Sequence, residues 1–102
     1  MARFKDTYVG KYEDVAASQT AQVLGTDGAA GDFLEKIIII PETTAAGTVA
    51  LLDLTTSRNI FVTGTLSDLS PIVIPIGAYS VNGAWKITTG ANVHVIAVGK
   101  FS

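Results

Sequence analysis

The sequence predicts an all-β chain: a single small β-sandwich or jelly-roll-like domain of about seven or eight short antiparallel strands, preceded by an N-terminal arm. Three observations predict it. Short runs rich in Val, Ile, Thr, Tyr and Trp recur roughly every ten residues, separated by clusters of Gly, Pro, Asn and Asp. Beyond residue 18 no stretch shows the sustained apolar period of an amphipathic helix. Asn82 and Gly83 stand between two such runs, and Asn-Gly supplies both φ > 0 positions of a type I′ hairpin turn.

Residues 1–18 form the arm. They hold six of the sixteen charged residues, and Phe4, Tyr8 and Tyr12 recur every four residues. That spacing fits a short helix with an aromatic stripe. Thr7, Tyr8, Val9 and Gly10 are weak helix formers, however, which favours an extended arm. An arm without a core of its own orders only against a neighbour.

The domain occupies 19–102. Thr20 to Leu24 reads as a short strand, followed by the glycine-rich connection Gly25 to Gly31. Asp32 to Ile40 is the longest strand, and its run Ile37, Ile38, Ile39, Ile40 covers both faces, as in a strand buried on both sides. Thr48 to Asp53 and Asn59 to Thr63 follow, joined by the polar loop Leu54 to Arg58. Ile72 to Ile76 is an edge or bent strand, because Pro71 and Pro75 cannot donate to a ladder. Ala78 to Val81 and Ala84 to Thr88 flank the Asn-Gly turn, and Asn92 to Val98 closes the domain.

Composition bounds the function. With 102 residues the chain fits one domain with its own core. There is no cysteine, which removes disulfides, thiolate zinc sites and cysteine nucleophiles. A net charge of −2 encodes no strong attraction to nucleic acid or to an anionic membrane. Only 16% of residues are charged and 48% are hydrophobic, against about 25% charged in ordinary soluble domains. The longest aliphatic run, Ile37 to Ile40, is closed by Pro41 and falls far short of the ~20 residues of a bilayer span. The N-terminus has no apolar h-region and does not read as a signal peptide. The surplus apolar surface therefore points to protein partners.

A search for chemistry finds few parts. Gly25, Gly28 and Gly31 are spaced like a phosphate loop, but such loops open a helix, whereas Asp32 leads into a strand and Asp27 would repel an anion. His94 is the single histidine, with no His/Asp/Glu cluster at ligand spacing and no Gly-x-Ser-x-Gly elbow to serve a nucleophile. The expectation is no catalytic residue, no metal and no cofactor. His94 shares its strand side with Ile96 and Val98 and reads as an interface or core residue. Trp85 reads as a core anchor, with a sugar-stacking platform as the alternative. Candidate partner contacts are Arg3, Phe4, Lys5, Tyr8 and Tyr12 on the arm and Arg58 in the exposed loop; candidate subunit-interface residues are Ile37, Ile39, His94 and Ile96.

Four segments carry a resemblance: ASQTAQVLG from Ala17, GAAGDFL from Gly28, IIPETT from Ile39 and GAWKITTGANV from Gly83, with VIAVGKF from Val95 in the same pattern. They resemble small virion proteins of tailed phages and prophages, over residues 16–102, and the arm lies outside the match. The motifs are turns and strands and transfer no site residue. The resemblance implies a capsid decoration (cement) protein at the capsid surface, made in the bacterial host cytoplasm. It implies a homotrimer bound to the major capsid protein of the same virion. The alternative is a glycan- or receptor-binding β-module of a phage head or tail fibre.

Overall fold

Strands form where β-branched and aromatic residues alternate with polar ones, since those side chains pack well on a pleated, half-buried surface. The structure, a computed structural model, describes residues 11–62 and 69–102. Among them are eight strands: β1 (Lys11–Val15), β2 (Gln22–Val23), β3 (Phe33–Pro41), β4 (Val49–Asp53), β5 (Thr56–Phe61), β6 (Ile72–Tyr79), β7 (Trp85–Thr89) and β8 (Val93–Lys100). They build two four-stranded antiparallel sheets, sheet A in the order β1-β8-β3-β6 and sheet B in the order β2-β7-β4-β5.

The pairings are nested: β1 with β8, β2 with β7, β3 with β6, and β4 with β5. This is one long antiparallel hairpin rolled up so that its arms alternate between two sheets, the jelly roll. Every pairing in both sheets is antiparallel, so each strand can show one face to the core and one outward. β8 does so most regularly, with Val93, Val95 and Ala97 fully buried between half-exposed His94, Ile96 and Val98. β7 buries Trp85, Ile87 and Thr89 in the same rhythm. The core between the sheets is completed by Val15, Leu24, Leu34, Ile37, Ile39 and Val49, none of which reaches solvent.

Three expectations change, besides the fusion of Ile72–Ile76 and Ala78–Val81 into one strand, β6, and the start of β5 at Thr56, inside the expected loop Leu54 to Arg58. Lys11–Val15, placed by sequence in the arm, is an edge strand of sheet A, with Tyr12 opposite Val98 and Val15 fully buried. The cause is that Val15 fills core volume, which charge composition does not reveal. The rest of the arm lies outside the described residues. Second, Thr20–Leu24 contracts to the two residues of β2, because Ala21 has φ +48 and its N–H bonds the Thr88 hydroxyl.

Third, Asn82-Gly83 is not a type I′ hairpin. Neither residue has positive φ, and the flanking strands β6 and β7 belong to different sheets. The turn is organised instead by the Asp53 carboxylate, which accepts from the N–H groups of Val81, Asn82 and Gly83 at 2.9–3.3 Å. Gly83 lies close to Leu54: a Cβ there would stand 2.8 Å from a Leu54 methyl, which would have to shift. The two-residue hairpin loop is Leu54-Thr55, with Asp53 opposite Thr56. Leu54 has φ +60, the sign a II′ turn requires at its first loop position. Replacing Asp53 by alanine is expected to cost about 1 kcal/mol, because each of these bonds sits near solvent and is worth little singly. A thermal melt of D53A at neutral pH checks it; an unchanged Tm would mean that the turn holds its shape without the carboxylate.

Candidate interaction surface

One side of sheet A lines the core. The other faces outward, and cross-strand register shows which residues meet there. Tyr12, Val98, Lys36 and Pro75 form one row; Asp14, Ile96, Ile38 and Val73 form the next. Beyond them His94 stands opposite Ile40, and at the other end Lys100 stands opposite Phe33, itself opposite Tyr79. Side chains that a strand directs away from the core normally alternate polar; here the middle of the face is aliphatic.

Exposure identifies the parts of this face that no described element covers. Tyr12, Val73 and Tyr79 are 68%, 55% and 67% exposed, while Ile38, Ile40, Ile96 and Val98 are half-buried by one another. The Phe33 and Tyr79 rings lie 5.0 Å apart in a tilted pair, a geometry aromatic pairs favour. Contiguous apolar patches beyond a few hundred Å² are rare on monomeric proteins and mark interaction sites. β6 adds to this as an edge strand that pairs, among the described strands, only with β3. Pro75 and the left-handed Gly77 (φ +62) interrupt it, which blunts open-ended strand addition.

Charge on the face is divided between its two halves. Lys100, at the Phe33 end, and Glu35 and Lys36, next along β3, give that half a net positive sign. Asp14, in the Ile96–Ile38 row, and Glu42, at the far end, make the other half acidic, with His94 Nδ1 3.0 Å from Glu42 Oε2. A shallow cleft there is lined by Asp14, Gln19, Gln22, Glu42 and His94.

Of the residues singled out from sequence, His94 and Ile96 lie on this face, and so does Tyr12. Ile37 and Ile39 do not. Both are fully buried between the sheets, so no partner subunit reaches them; their neighbours Ile38 and Ile40 are the outward pair. A strand slipped by one residue exchanges its faces, and an unbroken isoleucine run hides which phase applies. Sequence reading therefore missed Ile38, Ile40 and Val73, and the register of Ile40 opposite His94 is the signal that finds them. Arg58 is exposed on β5 in sheet B, away from this face, its Nη1 donating to the Ser57 carbonyl at 3.4 Å. Arg3, Phe4, Lys5 and Tyr8 lie outside the described residues. Trp85 is the core anchor of the two readings, its indole N–H donating to the Asp32 carbonyl at 2.9 Å.

A second polar cluster is internal. The glycine-rich connection wraps the segment 101–102: Asp27 and Gly28 N–H groups donate to the Ser102 carbonyl at 3.1 and 3.0 Å. Asp32, buried, accepts from the Ser102 hydroxyl at 2.6 Å, the Ser102 N–H at 3.0 Å and the Ala29 N–H at 3.1 Å. Burial alone would raise its pKa, but these hydrogen bonds outweigh that and hold the carboxyl below its ordinary value. Gly25 has φ +94, and any Cβ there would collide with the Ser102 carbonyl. The loop that resembled a phosphate cradle thus clasps the protein's own chain. Among the described residues no three His, Asp or Glu side chains gather closely enough to hold a metal ion.

The outer face of sheet A and the jelly roll together define an all-β module with a candidate protein-binding surface. Comparison with family models, curated proteins and solved structures yields no match to this chain.

Proposed function

We propose that this protein is a non-enzymatic structural subunit of a virion, of the capsid-decoration type. It binds the outer capsid lattice as a homo-oligomer and stabilises it. The observation that carries the reading is the aliphatic outer face of sheet A, a surface that water solvates poorly and that a protein partner would cover. Depletion of charge fits the same role, because interface centres are poor in Asp, Glu and Lys. The sequence resemblance supplies the choice of virion, and the jelly roll, which occurs in capsid and lectin domains alike, is compatible with it by fold analogy alone.

The mechanism is linkage. A ligand that binds the mature lattice more tightly than its opened form raises the lattice's resistance to heat, by an amount that grows with the logarithm of free ligand over Kd. Mature capsids lacking the protein are therefore expected to gain thermal stability, and to take up stoichiometric amounts, when purified protein is added back. Capsids that neither bind it nor melt later would overturn the proposal. The homotrimer implied by the resemblance is tested by light scattering in the same preparation.

A second reading, a glycan- or receptor-binding module, is favoured by one feature: Tyr79, exposed beside Phe33 and Lys100 at the mouth of an open cleft. Saturable glycan binding that Tyr79→Ala abolishes, without capsid binding, would select it.

A further inference from the structure

We propose that the outer face of sheet A is covered by the same face of a second copy of this chain, packed two-fold with the strands of the two sheets running antiparallel across the interface. The proposal rests on the reading above for the premise that the chain self-associates, and names a two-fold contact in place of the homotrimer that the resemblance implies.

Charge is complementary along the self-facing surface. A two-fold contact brings a surface patch against itself, so it succeeds only if the patch complements its own rotated image. Two aligned orientations are open to a sheet packing face to face with its copy. With the strands parallel, the halves that hold Lys36 and Lys100 meet each other, as do the halves that hold Asp14 and Glu42. Like charges then oppose in both halves, which costs affinity. With the strands antiparallel, each basic half meets an acidic half.

Row geometry supports the antiparallel solution in detail. Placing the axis between the Val98–Lys36 row and the Ile96–Ile38 row sets Val98 against Ile96 of the second copy and Pro75 against its Val73. Tyr12 meets the second copy's Asp14, a phenol hydroxyl opposite a carboxylate. Lys100 comes over the second copy's His94, within reach of its Glu42. Phe33 covers Ile40. Lys36 lays its alkyl stem along Ile38 and carries its ammonium toward the rim, as long cations do at apolar surfaces. The two central rows carry Lys36 on β3 and Asp14 on the edge strand β1 among apolar residues, and Lys100 and Glu42 lie at the ends of the contact.

The test uses the whole chain. Sedimentation equilibrium or light scattering at micromolar concentration is expected to give a dimer that weakens at high salt. Lys100→Glu and Glu42→Lys should each weaken dimerisation by about tenfold at low salt, whereas the double variant should return to within about twofold of the parent, because the swapped charges again oppose. Both positions are exposed, so folding is not at stake; Ile96→Asp, at the centre, should leave a folded monomer by circular dichroism. A double variant no tighter than the weaker single variant overturns the antiparallel contact. A trimer overturns the two-fold proposal yet leaves the decoration reading standing. So does a monomer that still binds capsids, since the capsid then covers this face. A monomer that dimerises only after residues 1–10 are removed overturns it in favour of a self-covering arm. A monomer that binds no capsid removes both proposals.

Discussion

Replacing Ile37 by alanine is expected to lower the stability of the fold by about 2–5 kcal/mol, the range for truncating a fully buried aliphatic side chain. Ile37 lies opposite Ile74 on one side and Ala97 on the other, without solvent exposure. Its register partners Ile74 and Ala97 are held in hydrogen-bonded strands, which limits collapse into the void. For a domain this size each kcal/mol shifts Tm by roughly 4–8 °C, so calorimetry should show a fall of at least about 8 °C. Ile38→Ala, one residue along on the outer face, should change Tm far less and instead change the state of association. If the two variants behave alike in the melt, the assignment of inner and outer faces on β3 is wrong.

The second large effect is expected at Asp32. Its carboxylate satisfies the Ser102 hydroxyl, the Ser102 N–H and the Ala29 N–H in a buried setting. Asp32→Ala orphans these donors and should cost about 2–3 kcal/mol, typical of losing hydrogen bonds to a charged group. The pH dependence follows from the direction of the shift. The folded-state pKa is held below the ordinary value, so the unfolded chain takes up the proton first as pH falls. The stabilisation is fully present above the unfolded value, about 3.9, and is lost as pH drops through the folded one. Melting temperatures of the parent and Asp32→Asn, measured from about pH 5 to about pH 2, should therefore converge on acidification. Curves that stay parallel would show that the Asp32 charge contributes nothing.

Much of the architecture was legible in the residues. The runs of β3, β4, β7 and β8 are visible as strands because aliphatic and β-branched residues concentrate in them, and in β7 and β8 burial also alternates with a two-residue period. β1 was not, since Lys11, Glu13 and Asp14 make a charged string whose anchor is the single residue Val15. The Asn82-Gly83 turn misled because local turn preference competes with tertiary contact. Three amides bound by Asp53, thirty residues earlier, decide the conformation there. The surface was legible in kind, as an apolar excess, and in two of its members, His94 and Ile96. Its remaining members were not, because an uninterrupted Ile37–Ile40 run carries no phase; only the pairing of Ile40 with His94 supplies it.

The nested pairing has a kinetic consequence. β8, last of the eight strands to leave the ribosome, lies between β1 and β3 and joins the two halves of sheet A. Until it is made, β1 has no described partner strand and β3 presents an open edge carrying four consecutive isoleucines. Loop closure over nearly the whole chain must come before the contacts that reward it, which places folding among the slow, non-local topologies. During that interval the nascent chain exposes its most adhesive strand. Ribosome-bound intermediates that stop before Val93 should thus be the species that a holdase chaperone retains.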